Sequence, residues 1–382
     1  MNLHNVVSVL FWRLCRLLPV NRKKVLFSSY YGHGYSDSPK AIAQALLDSG
    51  SDLKLCWLVN SQKEATSLPE GIHPVSNTGL RRVLAISTAK VWVDNCRKYE
   101  RYKRKEQFYL QTWHGFALKR IEEDVADVLE PEYIEGCKKD STQCDLMVSN
   151  SAFMSKLYRT SFWYDGEIAE YGFPRNDVFF SQPPEIRGKV LSHFGLSLER
   201  KLVLYAPTFR ADHSTDCYRL AAESLLNACE SRFSGKWALL VRLHPNVAGQ
   251  SQGLFAYDNQ RIFDATAYPD MQELLCAADL LITDYSSSMF DYALSRRPCL
   301  QFALDIEDYR KDRNFYFPLD QLPFPLATSN EALVEAIEHF DMERYLTRWD
   351  RFRWEQAFCE DGQAARRCAQ WILNKINGKD KL

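Results

Sequence analysis

Leu280-Leu281-Ile282-Thr283-Asp284-Tyr285-Ser286-Ser287-Ser288 is the stretch from which the fold class is read. Its first four residues are aliphatic or β-branched without polar alternation. Such a segment reads as a strand buried on both faces, the kind a parallel sheet uses. The polar residues Asp284 to Ser288 then leave the sheet at the strand's carboxyl end, and residues 289–295 read as a helix. A strand of this kind needs helices on both sides of its sheet, and the neighbouring sequence supplies them.

Upstream, residues 271–277 read as a helix, 260–264 as a short strand, 237–243 as a strand and 201–206 as the first strand of the same unit. Downstream, 298–302 is the next strand, while 331–340 and 362–374 are helices of good formers. The amino-terminal half repeats the scheme. Strands fall at 24–29, 53–59, 90–94, 107–112 and 145–149, with helices at 40–47, 80–87 and 151–158. This alternation specifies parallel α/β layers. Ser181-Gln182-Pro183-Pro184 has the turn chemistry of a linker, and 382 residues are ample for two cores. The expected organisation is residues 1–24 as a basic amphipathic segment, 25–180 and 181–355 as two Rossmann-like domains, and 356–382 as a C-terminal helix. Two such halves imply a cleft, with ligands beyond the carboxyl ends of the strands.

Apolar residues are 46% and charged residues 25% of the chain, the balance of a folded globular protein. A formal net charge of −1 gives no general attraction to nucleic acid. No recognition helix or RNA-binding signature accompanies the basic runs, so no nucleic-acid partner is expected. The 11 cysteines are scattered singly without a C-x-x-C pair, which argues for reduced, buried thiols. No carboxylate cluster has metal-ligand spacing, and neither a bound metal nor a cofactor is expected.

Residues 6–20 are rich in Val, Leu, Phe and Trp, but Arg13 and Arg16 interrupt them and Arg22, Lys23 and Lys24 follow. The run is too short and too charged to span a membrane, and it lacks a signal-peptide cleavage site. It fits a basic amphipathic helix on an anionic membrane surface, or a helix packed on its own domain with its basic residues in solvent. Arg97-Lys98-Tyr99-Glu100-Arg101-Tyr102-Lys103-Arg104-Lys105 is a second basic run. It is either a solvated face or a further contact with anionic lipid or polymer.

The polar clusters fall at expected strand ends. In Trp113-His114-Gly115 the histidine, with an ordinary pKa of about 6.5, suits a general base for an alcohol. Gly115 lets backbone approach a ligand. The plainer reading is a histidine bonded to loop backbone, although Lys119 and Arg120 downstream reduce its weight. Arg242-Leu243-His244-Pro245 repeats the arrangement. There His244 touches a phosphate or assists a leaving group, or is simply solvated before a turn-setting proline. Ser286 and Ser287 open a helix carrying Asp291, an anion site suited to a diphosphate or a plain N-cap. Ala206-Pro207-Thr208-Phe209-Arg210 takes the matching position after the first strand of that half. There Arg210, like Arg242, faces phosphate oxygens or forms ion pairs. His33, in a glycine-rich loop, is a further candidate.

Taken in order, these stretches resemble the CDP-glycerol glycerophosphotransferases, the teichoic-acid primase and polymerase family, over nearly the whole chain. The matching segments begin with Gly34-Tyr35-Ser36-Asp37-Ser38-Pro39-Lys40, Gln111-Thr112-Trp113-His114-Gly115, Gly172-Phe173-Pro174-Arg175-Asn176-Asp177 and Tyr205-Ala206-Pro207-Thr208-Phe209-Arg210. Arg242-Leu243-His244-Pro245, the run from Ile282 to Tyr292, and Asp361-Gly362 with Arg366 complete the set. The resemblance implies a GT-B-like α/β fold, two facing Rossmann-type domains with a cleft between them. The first domain would lie on the acceptor and membrane side, the second would bind the CDP donor, and attachment would be peripheral, on the cytoplasmic face of the cell membrane. The implied reaction moves glycerol phosphate from CDP-glycerol to a hydroxyl of a lipid-linked glycan or glycerol-phosphate acceptor, releasing CMP, in teichoic-acid-like or capsular polymer synthesis. The family's two essential histidines fall on His114 and His244. Its donor-binding positions fall on Gly115, Phe116, Ala117, Leu118, Arg175, Pro207, Thr208, Leu243, Pro245, Ser286, Ser287 and Asp291. Two departures, Phe116-Ala117 in place of small or Thr-Pro residues and Ser38 in place of Asn, leave other donors open. The alternatives are a ribitol-phosphate transferase, a nucleotide-sugar glycosyltransferase on the same architecture, and a catalytically idle membrane scaffold.

Overall fold

The computed structural model describes residues 12, 14–15, 17–98, 103–210, 215–244, 254–306 and 315–378. The chain forms two compact units: Met1–His114, Glu122–Asp177 and Phe358–Leu382 make the first, Gly115–Ile121 and Val178–Ala357 the second. Both are α/β, the class read from the alternation of strands and helices.

The first unit is built on a seven-stranded sheet in the order β3-β2-β1-β4-β5-β6-β7. Its strands are β1 (Asn21–Phe27), β2 (Lys54–Val59), β3 (Ile72–Ser76), β4 (Ala89–Asp94), β5 (Phe108–Gln111), β6 (Leu146–Ser149) and β7 (Glu167–Glu170). Every pairing is parallel. Val25, Phe27, Val91, Val93 and Leu110 are inaccessible to solvent, which is why the central strands read so plainly as apolar runs. Phe27 stacks on Trp57 with ring centroids 5.6 Å apart. The helix Ala364–Ile376 sends Cys368, Trp371 and Ile372 into the same core. Its start is held by Asp177, whose carboxylate accepts from the Ala364 and Ala365 backbone N–H at 3.1 and 2.8 Å. The C-terminal helix therefore completes the first unit and does not stand apart.

The second unit has a six-stranded parallel sheet in the order β10-β9-β8-β11-β12-β13. Its strands are β8 (Lys201–Tyr205), β9 (Trp237–Val241), β10 (Ile262–Asp264), β11 (Leu280–Thr283), β12 (Cys299–Phe302) and β13 (Leu326–Ala327). The segment that decides the fold class is β11, paired on both edges, with Leu280, Leu281 and Ile282 wholly buried. In each sheet the strand order reverses once, between β1 and β4 and between β8 and β11. Loops diverge at such a switch point and leave a crevice at the carboxyl edge.

The chain leaves the first unit after His114 and joins the second through residues 115–121, a crossing that the sequence reading did not anticipate. Phe116 packs against Phe290, Phe317 and Phe352 at 4.6, 5.8 and 6.0 Å. Lys119 forms an antiparallel bridge with Phe315. Burial of Phe116 and Leu118 draws this short segment into the second core. Most of the N-terminal segment, including Arg13 and Arg16, lies outside the described residues. Among the described residues no helix is long and apolar enough to cross a membrane.

Candidate active site

In the first unit the site grows from the loops that follow β1, β4 and β5. Trp113 adopts a left-handed backbone with φ of 55°, a conformation that costs a non-glycine residue about 1–3 kcal/mol and collects at functional sites. Its indole packs edge-on against Phe162 at 4.7 Å and stacks on the His114 ring at 4.2 Å. The backbone is thereby forced to present the imidazole in one orientation. His114 Nδ1 lies 2.8 Å from the backbone oxygen of Asn95. A carbonyl only accepts, so Nδ1 carries the proton of the neutral ring and Nε2 keeps its lone pair. Burial holds the imidazole below the ordinary histidine pKa; the Asn95 bond and the Asp37 charge pull the other way without reversing it. His114 is thus held in the neutral state that a general base requires near pH 7.

Behind it stands a polar cluster. The Tyr30 backbone N–H donates to Asn95 Oδ1 at 2.9 Å, and the Tyr30 and His114 rings are 6.2 Å apart. Asp37 Oδ2 accepts from the Tyr30 hydroxyl and from Arg175 Nη1, both at 2.7 Å, while its Oδ1 accepts from the Ser38 N–H at 2.6 Å. Burial opposes the charge on Asp37, but Arg175 and these hydrogen bonds outweigh it and hold the carboxyl below the usual range. Arg175, expected at the donor, thus has one guanidinium nitrogen committed to Asp37. Tyr30, Asp37 and Asn95 are absent from the residues expected from sequence. The signal for Asp37 is its place in the Gly34–Lys40 segment of the family resemblance, where no role is read for it.

The basic run at 97–105 is partly reassigned. Arg97 is buried, donating to Glu122 Oε2 at 3.0 Å and Asp140 Oδ2 at 3.2 Å. Lys98, also buried, donates to Asp94 at 3.2 Å. Lys103 donates to Asp145 at 2.7 Å. These charges fold into their own unit because acidic partners neutralise them there, Asp94 four residues away and Glu122, Asp140 and Asp145 farther along the chain. Tyr99 to Tyr102 lie outside the described residues.

In the second unit the loops after β8 and β11 meet at the switch point. Thr208 donates from both its N–H and its hydroxyl to Asp284 Oδ1, each at 2.8 Å. Arg210 donates through Nε to Asp305 Oδ2 at 2.6 Å and through Nη1 to the Thr208 carbonyl and hydroxyl at 2.7 and 2.8 Å. Its Nη2 reaches Asp284 Oδ2 at 2.8 Å and Asp305 Oδ1 at 3.0 Å. A guanidinium has five N–H groups, and these contacts engage all of them. Arg210, expected as a phosphate ligand, instead ties two loops together; the ion-pair alternative is the one realised. Arg242 similarly turns Nη1 to the Tyr268 carbonyl at 2.5 Å.

Ser286 and Ser287 are half-buried before the short helix Ser288–Ala293, and the Ser288 hydroxyl bonds that of Ser286 at 2.9 Å. Asp291 is buried in that helix. His244 is exposed, its ring 5.1 Å from Phe209, and burial followed by the Arg242 charge holds it below the ordinary histidine pKa. Leu243, Pro207, Phe116, Ala117 and Leu118 have buried side chains, so their backbone, not their side chains, is what they offer a ligand. Gly115, with φ of 144°, is a position that only glycine adopts readily. Pro245 lies outside the described residues.

Two doubly wound parallel sheets, each with polar loops at its switch point, define a chain of the nucleotide-binding α/β class. The model of the CDP-Glycerol:Poly(glycerophosphate) glycerophosphotransferase family matches residues 10–374, and the chain belongs to that family. It is 33% identical to the teichoic acid poly(glycerol phosphate) polymerase of Bacillus subtilis strain 168, over 86% of this chain and 45% of that protein. The chain thus spans about half the length of that polymerase. It is 31% identical to the teichoic acid glycerol-phosphate transferase of Staphylococcus aureus strain NCTC 8325, over 95% of each. A solved structure of a histidine-to-asparagine variant of the wall teichoic acid polymerase TagF, soaked with CDPG, superposes with a TM-score of 0.85 at 27% identity. It covers 99% of this chain and 98% of that one.

Proposed function

We propose that this chain transfers glycerol phosphate from CDP-glycerol to a hydroxyl of a lipid-linked glycan or glycerol-phosphate acceptor, releasing CMP, in the synthesis of a teichoic-acid-like polymer. Family membership supports the donor class, and the observation that carries the chemistry is His114, neutral and bonded through Nδ1 to the Asn95 carbonyl. The acceptor hydroxyl gives its proton to Nε2 as its oxygen attacks the β-phosphorus in line. The bond from that phosphorus to the bridging oxygen breaks, the electron pair leaves with CMP, and the imidazolium returns its proton to solvent. Phosphoryl transfer gains most from positioning and charge stabilisation. In this reading His244, Thr208, Ser286, Ser287 and Asp291 serve the donor side, where N–H and hydroxyl donors meet the diphosphate. Gly115, which belongs to the second unit, completes the donor contacts.

The chain acts peripherally at the cytoplasmic face of the membrane. Support comes from Leu14, Leu17 and Leu18, all exposed, followed by exposed Arg22, the composition of an interfacial anchor; Lys23 and Lys24, in β1, instead meet Asp52 and Thr88.

The test is a donor panel of CDP-glycerol, CDP-ribitol, UDP-sugars and GDP-sugars with a glycerol-phosphate-terminated acceptor, read by released nucleotide and product mass. CMP release with a mass gain of one glycerol phosphate is expected. Release of UDP or GDP, or of no nucleotide with any donor, would overturn the reading, and preference for CDP-ribitol would replace the alditol.

A further inference from the structure

We propose that the Tyr30–Tyr31 turn is the acceptor platform, holding the polyol or sugar terminus whose hydroxyl is deprotonated by His114. This rests on the transfer reaction above and deepens it by locating the second substrate. The first ground is topology. The turn follows β1 and Asn95 follows β4, so both stand at the switch point of the first sheet, where open α/β sheets receive ligands. The second unit's switch point carries the residues read as the donor site, which leaves the first unit's crevice for the other substrate.

The second ground is the turn's construction. Tyr30 and Tyr31 both have left-handed backbone, with φ of 43° and 59°, an arrangement that persists only when its surroundings hold it. Asn60 and Asn77 Nδ2 both donate to the Tyr31 carbonyl, at 3.0 and 2.7 Å. The Tyr30 N–H donates to Asn95 Oδ1 at 2.9 Å. Asn95 is also the residue whose carbonyl orients His114, so a single residue fixes the turn and the base in one frame. Gly32 follows at φ of +88°, and a Cβ there would lie 2.7 Å from Asn77 Nδ2. Only glycine fits.

The third ground is chemistry. Tyr31 is 53% exposed and Tyr30 37% exposed, with the Tyr30 ring 6.2 Å from that of His114. Two charges around it are engaged internally: Arg175 on Asp37, and Arg82 Nε on Asn77 Oδ1 at 3.2 Å. A rim of aromatic faces and neutral amides suits the C–H faces and hydroxyls of a polyol or sugar, and suits a diphosphate poorly.

The experiment uses the full chain, CDP-glycerol and a short glycerol-phosphate oligomer as acceptor, with both KM values measured. Tyr31→Ala raises the acceptor KM about three- to ten-fold and leaves the donor KM within about two-fold of wild type. Tyr31→Trp, which keeps an aromatic face, stays close to wild type. Gly32→Ala, which displaces the turn, reproduces the Tyr31→Ala effect, with a thermal melt verifying that the fold is intact. An unchanged acceptor KM in Tyr31→Ala, a rise confined to the donor KM, or a Tyr31→Trp defect as large as that of alanine would each overturn the platform. If the wild-type chain itself releases no CMP, the transfer reaction fails instead, which separates the two conclusions.

Discussion

Arg210→Ala distinguishes a loop-tying arginine from a phosphate ligand. The side chain is 7% exposed and Asp284, which accepts from it, 1% exposed; Asp305 is 23% exposed. Removing the guanidinium leaves Asp284 buried without its counter-charge, at a cost of about 3–5 kcal/mol. The partly wet Asp305 adds little, since water screens what it loses. In a unit of this size each kcal/mol moves the melting temperature by about 2–4 °C, so the second unit's transition should fall by roughly 10 °C in scanning calorimetry. Arg210→Lys keeps the charge but not the planar fork and should fall in between. Arg210 also outweighs burial to hold the Asp305 carboxyl below the usual range. That contribution is present above the unfolded carboxylate pKa of about 3.9 and is lost as pH drops through the folded value. The gap between wild type and variant should therefore narrow only slightly on acidification below about pH 4, by the small Asp305 part. An unchanged transition accompanied by a rise of about ten-fold or more in donor KM would refute the reasoning and restore Arg210 as a phosphate ligand.

His114→Ala should lower kcat by about 10²-fold or more, and the acid limb of wild-type kcat/KM should have its midpoint below about 6.5, because burial favours the neutral ring; near-wild-type CMP release by the variant would remove the base. Arg97→Met should destabilise the first unit by about 3–5 kcal/mol in denaturant titrations, since Glu122 and Asp140 are left buried and unpaired. The same variant should bind anionic vesicles as wild type does, and lost binding would return Arg97 to a surface role. Deleting residues 1–19 should abolish sedimentation with vesicles rich in anionic lipid; retained sedimentation would move the membrane contact to another basic surface, such as that around exposed Lys105.

The strands legible in sequence are mostly those in the sheet interiors. β11, most of β4 and β8, and the Val25–Phe27 half of β1 are buried on both faces, an environment that apolar residues satisfy. The missed strands are all edges. β3 contains Pro74, which an edge tolerates because one side of it forms no ladder. β7 is Glu-Ile-Ala-Glu and β13 only two residues long. An edge strand answers to one neighbour and to solvent or loops, so its composition carries little of the pattern.

By itself the sequence determined the α/β class, two units, and the placement of His114 and His244 just after strands, where they are candidates for the chemistry. These follow from local burial and spacing, which a chain records residue by residue. The partners of the charged groups did not follow. Arg175 meets Asp37 across 138 positions and Arg210 meets Asp284 across 74, and until the strand order brings those loops together a phosphate contact and an ion pair read alike. The same holds for His114. Its residue type was visible, but its tautomer depends on the Asn95 carbonyl, a backbone group that every residue carries and that only folding aims at Nδ1.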